Sequence, residues 1–145
     1  MNPFLSNAYL LKGVALGDID SIESVSETKS FNGGEVVVGI GDRSQDIMVI
    51  IEGRVRVETV NGELIDELRP GEMIGEMAFI DGKPRGANAI SAGPSKIMVI
   101  PYDRLSGLMR ENPKLEAIIL RNAAVALCQR LRDTNQQVES LLVVR

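Results

Sequence analysis

The 145-residue chain contains no histidine, no tryptophan and a single cysteine, Cys128. Each absence removes a class of chemistry. Without His there is no imidazole cluster to hold a catalytic metal and no Ser-His or Cys-His nucleophile pair, so any catalysis would rest on Asp, Glu, Lys or Arg. One cysteine cannot build an intramolecular disulfide framework, which fits a reducing compartment, and the apolar helical neighbours of Cys128 predict a buried structural thiol. No apolar run approaches the roughly 18 residues of a membrane span. Met1 to Leu11 has no basic stretch ahead of its apolar part and does not read as a signal peptide. Sixteen Lys and Arg against twenty Asp and Glu give a net charge of −4 with no basic block, so the electrostatic footprint of a nucleic-acid binder is missing. The expectation is one cytoplasmic domain over residues 1–145, with no metal, no membrane and no direct nucleic-acid partner.

From Asp18, read as an N-cap, the apolar positions Ile19, Ile22 and Val25 recur at helical spacing. The pattern then changes to short β-branched runs at Val36 to Val38, Ile47 to Ile51, Val55 to Val60, Leu64 to Leu68, Ala87 to Ile90 and Ile97 to Ile100. Turn signals separate them, with Asn61-Gly62 the strongest hairpin signal. Many short strands at this spacing read as a sandwich or a jelly-roll barrel. After Pro101 the pattern is helical: Tyr102 to Arg110, a break at Asn112-Pro113, then about Lys114 to Leu142, about 45 Å of helix. Along it Ala124, Leu127, Leu131, Thr134, Val138, Leu141 and Arg145 alternate by three and four, the seam of a coiled coil, and a second copy of the chain is the simplest partner.

The segment Gly71 to Ala89 carries the chemistry. Gly75 and Ala78 allow close backbone approach, and Glu76 to Ile80 is long enough for one helical turn with free N–H groups. Arg85, nine residues after Glu76, adds a guanidinium suited to a phosphate. Glu76 would repel a phosphate unless it faces neutral donors such as sugar hydroxyls. A phosphate and a ribose in one small site imply a compact nucleotide. Taken singly, a Pro-Arg-Gly step is a turn with a surface arginine and a Gly-x-x-x-Gly-Glu run is a bulge or turn; their order and spacing together are specific.

Ile-Gly-Glu-Met-Ala-Phe-Ile followed by Pro84-Arg85-Gly86-Ala87 resembles the phosphate-binding cassette of the cyclic nucleotide-binding domain family. Glu52 to Val57 and Leu68 to Glu72 resemble the flanking family segments, so the likeness runs from about Leu16 to Leu142. It implies an α+β, mainly β fold: an eight-stranded jelly-roll β-barrel with flanking N-terminal helices, a short cassette helix and a long C-terminal helix. The single domain then divides into a helical segment at about 1–29, the barrel at 30–101 with its cassette at 71–89, and C-terminal helices at 102–145. The implied ligand site is Gly75, Glu76, Met77, Ala78, Arg85, Gly86 and Ala87 for phosphate and ribose. Val57, Ile65 and Leu68 would face the purine. Gln129 to Asn135 resembles a segment that approaches the ligand, which puts Arg130 near Glu76 and the ribose, and Thr134 and Asn135 at the base edge, Asn135 from the other subunit. This stretch departs from the family pattern by about one extra helical turn before it and by Asn135 in place of serine.

The resemblance implies a regulatory sensor module and not an enzyme, binding cyclic AMP or possibly cyclic GMP as ligand, with no cofactor, and working as a homodimer through the long helix. Gly86 offers no hydroxyl to guanine, and an unpartnered amino group costs about 1 to 3 kcal/mol, which favours cyclic AMP. The chain ends before any helix-turn-helix, so the expectation is a stand-alone domain. The alternatives are a ligand-free dimerisation or docking domain with the same fold, and a regulatory fragment of a larger transcription factor or signalling protein. A small carboxylate-dependent jelly-roll enzyme is a third class, disfavoured by the missing histidines.

Overall fold

The alternating apolar runs become eight antiparallel strands in the computed structural model, which describes residues 3–143. Two short 3-10 turns, Pro3–Asn7 and Tyr9–Leu11, precede α1 (Leu16–Val25). The strands are β1 (Glu27–Phe31), β2 (Val36–Val38), β3 (Ile47–Glu52), β4 (Val55–Glu58), β5 (Leu64–Leu68), β6 (Met73–Ile74), β7 (Asn88–Ser91) and β8 (Ser95–Ile100). Helix α2 (Glu76–Asp81) interrupts them, and α3 (Tyr102–Glu111) and α4 (Pro113–Val143) follow. They form two four-stranded sheets, β1-β8-β3-β6 and β2-β7-β4-β5. The expected closed barrel is thereby corrected to a sandwich: among the described residues no ladder joins the edges of one sheet to those of the other.

The sheet β1-β8-β3-β6 is the middle layer. On its outer face Ile47, Val49, Met98 and Ile100 pack with Ile19, Ile22, Leu105, Leu115 and Ile119 of the helices, and with Leu5, Leu10 and Leu11 of the N-terminal turns. On its inner face Met48, Ile50 and Ile97 meet Val38, Val55, Leu68 and Ala89 of the second sheet. Burial on both faces explains why β3 reads as an unbroken apolar run and not as an alternation. The apolar N-terminal segment is thus a piece of the core.

Local chemistry sets the turns. Gly53, with φ +87°, joins β3 to β4 where an added Cβ would lie 2.5 Å from the Pro94 carbonyl oxygen and 2.7 Å from Ser95 Cβ. Between β4 and β5 the Thr59 N–H donates to the Glu63 carbonyl at 2.9 Å around Asn61-Gly62, the expected hairpin. At Asn112 the side-chain Oδ1 accepts the Leu115 N–H at 3.1 Å, capping α4 with Pro113 at its first position. Other expectations shift. Helix α1 starts at Leu16 with Ala15 as its N-cap, which puts Asp18 inside the first turn, where its carboxylate accepts from the Asn112 amide at 3.3 Å. β1 begins at Glu27, inside the stretch read as helical. Cys128 is exposed, not buried, because its apolar neighbours lie where α4 has left the core. The seam residue Arg145 lies outside the described residues. No described helix is long and apolar enough to cross a membrane.

Candidate functional site

Two left-handed glycines bound the short helix α2. Gly75, φ +99°, is its N-cap, and Gly82, φ +70°, its C-cap, whose N–H donates to the Ala78 carbonyl at 2.9 Å. Only glycine fits at 75: an added Cβ would lie 2.6 Å from the Asp46 carbonyl oxygen and would collide with Arg85 Nη1. Glu76, Ala78 and Phe79 turn inward, whereas Met77 is exposed. Phe79 N–H is the first to reach a carbonyl of the helix, that of Gly75, at 3.0 Å, so the N–H groups before it lack an intrahelical acceptor.

Arg85 is held at every level by the loop between β2 and β3. Its main-chain N–H donates to the Asp42 carbonyl at 2.8 Å, and its carbonyl accepts from Gly41 at 2.9 Å. Nη2 donates to the Asp46 carbonyl at 2.7 Å, and Nη1 to the Gly75 carbonyl at 3.1 Å. Nε is buried without a partner. A guanidinium has five N–H donors in a planar fork; here two orient the group and the rest remain. Burial pulls the Arg85 guanidinium below its ordinary value, opposed by the charges of Asp42, Asp46 and Glu76.

Glu76 is fully buried. Its Oε1 accepts from Arg130 Nη1, and Arg130 Nη2 donates to the Met73 carbonyl at 2.6 Å, which ties α4 to both α2 and β6. Oε2 is buried and unpartnered. Burial raises the Glu76 carboxyl above its ordinary value, and it outweighs the lowering by Arg130, by hydrogen bonding and by Arg85.

A cavity of about 820 Å³ lies between β4, β5, α2, the cassette loop and α4, within the range of small-molecule sites. It is lined by Gly75, Glu76, Met77, Ala78, Arg85, Gly86 and Ala87, by Val57, Ile65 and Leu68, and by Arg130 and Thr134 of α4. Asn135 does not line it and is exposed on α4. Sequence reasoning missed Asp133, just before Thr134, and Gln136, Gln137 and Ser140, which carry the α4 wall past it. It also missed Asp42 and Asp46, which hold Arg85 through main-chain carbonyls; such contacts leave no mark on residue type. The arrangement offers a buried donor on the Arg85 cation and a buried acceptor on the Glu76 carboxylate, both unpartnered, beside an apolar wall. Among the described residues no cluster of His, Cys, Asp and Glu could hold a metal ion.

Comparison with known proteins places these features. The Cyclic nucleotide-binding domain family matches residues 28–112. The cAMP-dependent protein kinase regulatory subunit of Dictyostelium discoideum is 34% identical over 116 residues, covering 72% of this chain and 36% of that protein. The crystal structure of the Thermus thermophilus catabolite activator protein superposes with a TM-score of 0.75 at 26% identity, over 92% of this chain and 62% of that one. A cyclic nucleotide-binding domain from Methylobacillus flagellatus superposes with a TM-score of 0.83 at 23% identity, over 94% of this chain and 83% of that one. The chain therefore spans about a third of the length of the kinase subunit and under two-thirds of the activator. Because the matched residues run through both sheets, α2, Arg85 and α3, and so cover more than half of the chain, the fold and the cassette together make it a member of the cyclic nucleotide-binding domain family.

Proposed function

We propose that the chain is a sensor domain, working in the cytoplasm, that binds cyclic AMP without altering it. The observation that carries this reading is the pair of buried, unpartnered polar atoms, Arg85 Nε and Glu76 Oε2, on two residues that line one cavity. A donor on a cation matches an equatorial oxygen of a cyclic phosphate, and an acceptor on a carboxylate matches the ribose 2′-hydroxyl. Buried groups left unpaired cost about 1 to 3 kcal/mol each, so a ligand that satisfies both gains what the free protein forgoes. Val57, Ile65 and Leu68 supply the apolar face for the purine, and Gly86, with no hydroxyl, favours adenine. Relatives such as the kinase regulatory subunit are regulatory proteins by name, which agrees with binding and not turnover.

The same reading makes α4 the output. Arg130 joins it to the Glu76 carboxylate, and Leu131, Val138 and Leu141 along the coiled-coil seam stand exposed in the single chain, as a homodimer through α4 requires. In that dimer Asn135 would serve the partner's site, which fits its position outside the cavity of its own chain. A ligand that binds one α4 position better shifts the population of dimer conformations. Calorimetry with cyclic AMP, cyclic GMP and linear AMP tests the proposal. Tight binding of cyclic AMP, weaker binding of the other two, and loss of binding in Arg85→Glu are the expected results. No heat with any nucleotide would instead favour a ligand-free docking domain.

A further inference from the structure

The register of the sheet β2-β7-β4-β5 lines up one residue from each of its strands. Val38 of β2 pairs with Ala89 of β7, Ala89 with Val57 of β4, and Val57 with Asp66 of β5. All four line the cavity. Directly paired residues share a face of a sheet, so Asp66 stands on the same face as Leu68, which pairs with Val55 and is buried with it. Period-two alternation calls for an apolar side chain at such a place; the row ends instead in a carboxylate. Asp66 is half-buried, and its Oδ1 accepts the N–H of Glu67 at 2.8 Å. Among the described residues no Lys or Arg pairs with it, the nearby arginines being engaged elsewhere, Arg54 with Glu67 and Arg56 with Glu58.

The row also has a direction. Arg85, Gly86 and Ala87 run straight into Asn88, the first residue of β7, so its Ala89 end adjoins the arginine. Asp66 lies two strand spacings further on, about 10 Å away. That is the reach of a mononucleotide from its phosphate to the far edge of its base. We infer that Asp66 accepts the exocyclic amino group of the bound base, an inference resting on the reading that the cavity takes cyclic AMP. An ionised carboxylate accepts hydrogen bonds and donates none, so it pairs with an amino group and repels a carbonyl oxygen in the same position. Val57 and Ala89 meet the face of the ring and Asp66 meets its edge. Gly86 favours adenine by lacking a hydroxyl, whereas Asp66 selects it by a contact.

The test is calorimetry of the full chain with two ligands, cyclic AMP and the 3′,5′-cyclic monophosphate of purine riboside, which lacks only the amino group. Wild type, Asp66→Ala and Asp66→Asn are compared. In wild type cyclic AMP binds about tenfold to a hundredfold tighter than the analogue, as a hydrogen bond to a charged group implies. In Asp66→Ala the ratio falls to about twofold or less, and in Asp66→Asn, which keeps a neutral acceptor, to about fivefold. A ratio that Asp66→Ala leaves unchanged overturns the inference and makes Asp66 only an inward charge that guards an edge strand. Should Asp66→Ala fail to fold, Asp66→Asn decides alone: a reduced ratio supports the contact, and an unchanged one overturns it. Wild-type protein that binds neither ligand overturns the functional reading along with the inference, whereas binding of both with equal affinity overturns the inference alone.

Discussion

The two halves of α4 live in different surroundings. As far as Ala123 the helix belongs to the core: Leu115, Ile119 and Ala123 are buried, and Asn122 Nδ2 donates to the carbonyls of Leu10 at 2.7 Å and Lys12 at 2.9 Å, fastening it to the N-terminal turns. Beyond Arg130 the same helix presents Leu131 at 62% exposure and Leu141 at 72%. Arg130 marks the boundary, the last residue pinned to the sandwich. Helices are held mainly by tertiary packing of an apolar face, so the first half owes its helicity to the sandwich and the second to whatever covers its seam. One continuous helix therefore links a fixed root to a free arm across the cavity.

The largest effect that separates the halves is at the root. Ile119→Ala removes a fully buried side chain from the cluster shared by α1, β3, β8 and α3. Urea unfolding should record a loss of about 2 to 5 kcal/mol. A loss under 1 kcal/mol would mean that the root is as loosely held as the arm.

The boundary is tested next, through its pH dependence. Burial raises the folded-state pKa of Glu76 above its ordinary value of about 4.5, against the lowering by Arg130 and Arg85. The folded protein then binds this proton more tightly than the unfolded chain. Stability contributed by the protonated group is fully present below about pH 4.5 and is lost as the pH rises through the raised value, at up to about 1.4 kcal/mol per pH unit. Stability of the ligand-free wild type relative to Glu76→Gln, measured by urea titration at successive pH values, should therefore fall as the pH rises from 4.5. A difference that grows instead would mean that the pair with Arg130 outweighs burial.

Asn122→Ala should cost about 1 kcal/mol, the net worth of an ordinary hydrogen bond and somewhat more where a carbonyl is left dry. Hydrogen exchange would locate the loss in the N-terminal turns and the root of α4. Protection lost along the arm beyond Arg130 instead would show that the two halves open together.

The same contrast explains what could be read from the sequence. Strands β3 and β8 announce themselves by apolar runs between turn residues, because their side chains fill two cores. β1 does not: Glu-Thr-Lys-Ser-Phe is an edge strand with exposed polar side chains, and edge strands carry charge to discourage further pairing. The cassette is legible because Gly75, Glu76 and Arg85 are close in sequence and each residue type has a reason. Asp46 is not, since the carbonyl that it offers Arg85 is common to every residue. Cys128 misleads because apolar neighbours on a helix signal a core or an unpartnered seam alike, and only the fold tells which.

The smallest expected effect is the sharpest test of the arm. Leu141 is 72% exposed in the single chain, so Leu141→Ala should change the stability of the monomer by no more than about 0.5 kcal/mol. If the seam pairs two copies, the same substitution acts through association, and the melting temperature of the wild type should rise with protein concentration while that of Leu141→Ala rises less. Thermal melts over a hundredfold range of concentration separate the cases. A wild-type melting temperature independent of concentration, with light scattering at the mass of one chain, would leave the arm without a partner of its own kind and remove the dimer from the mechanism, though not the nucleotide from its site.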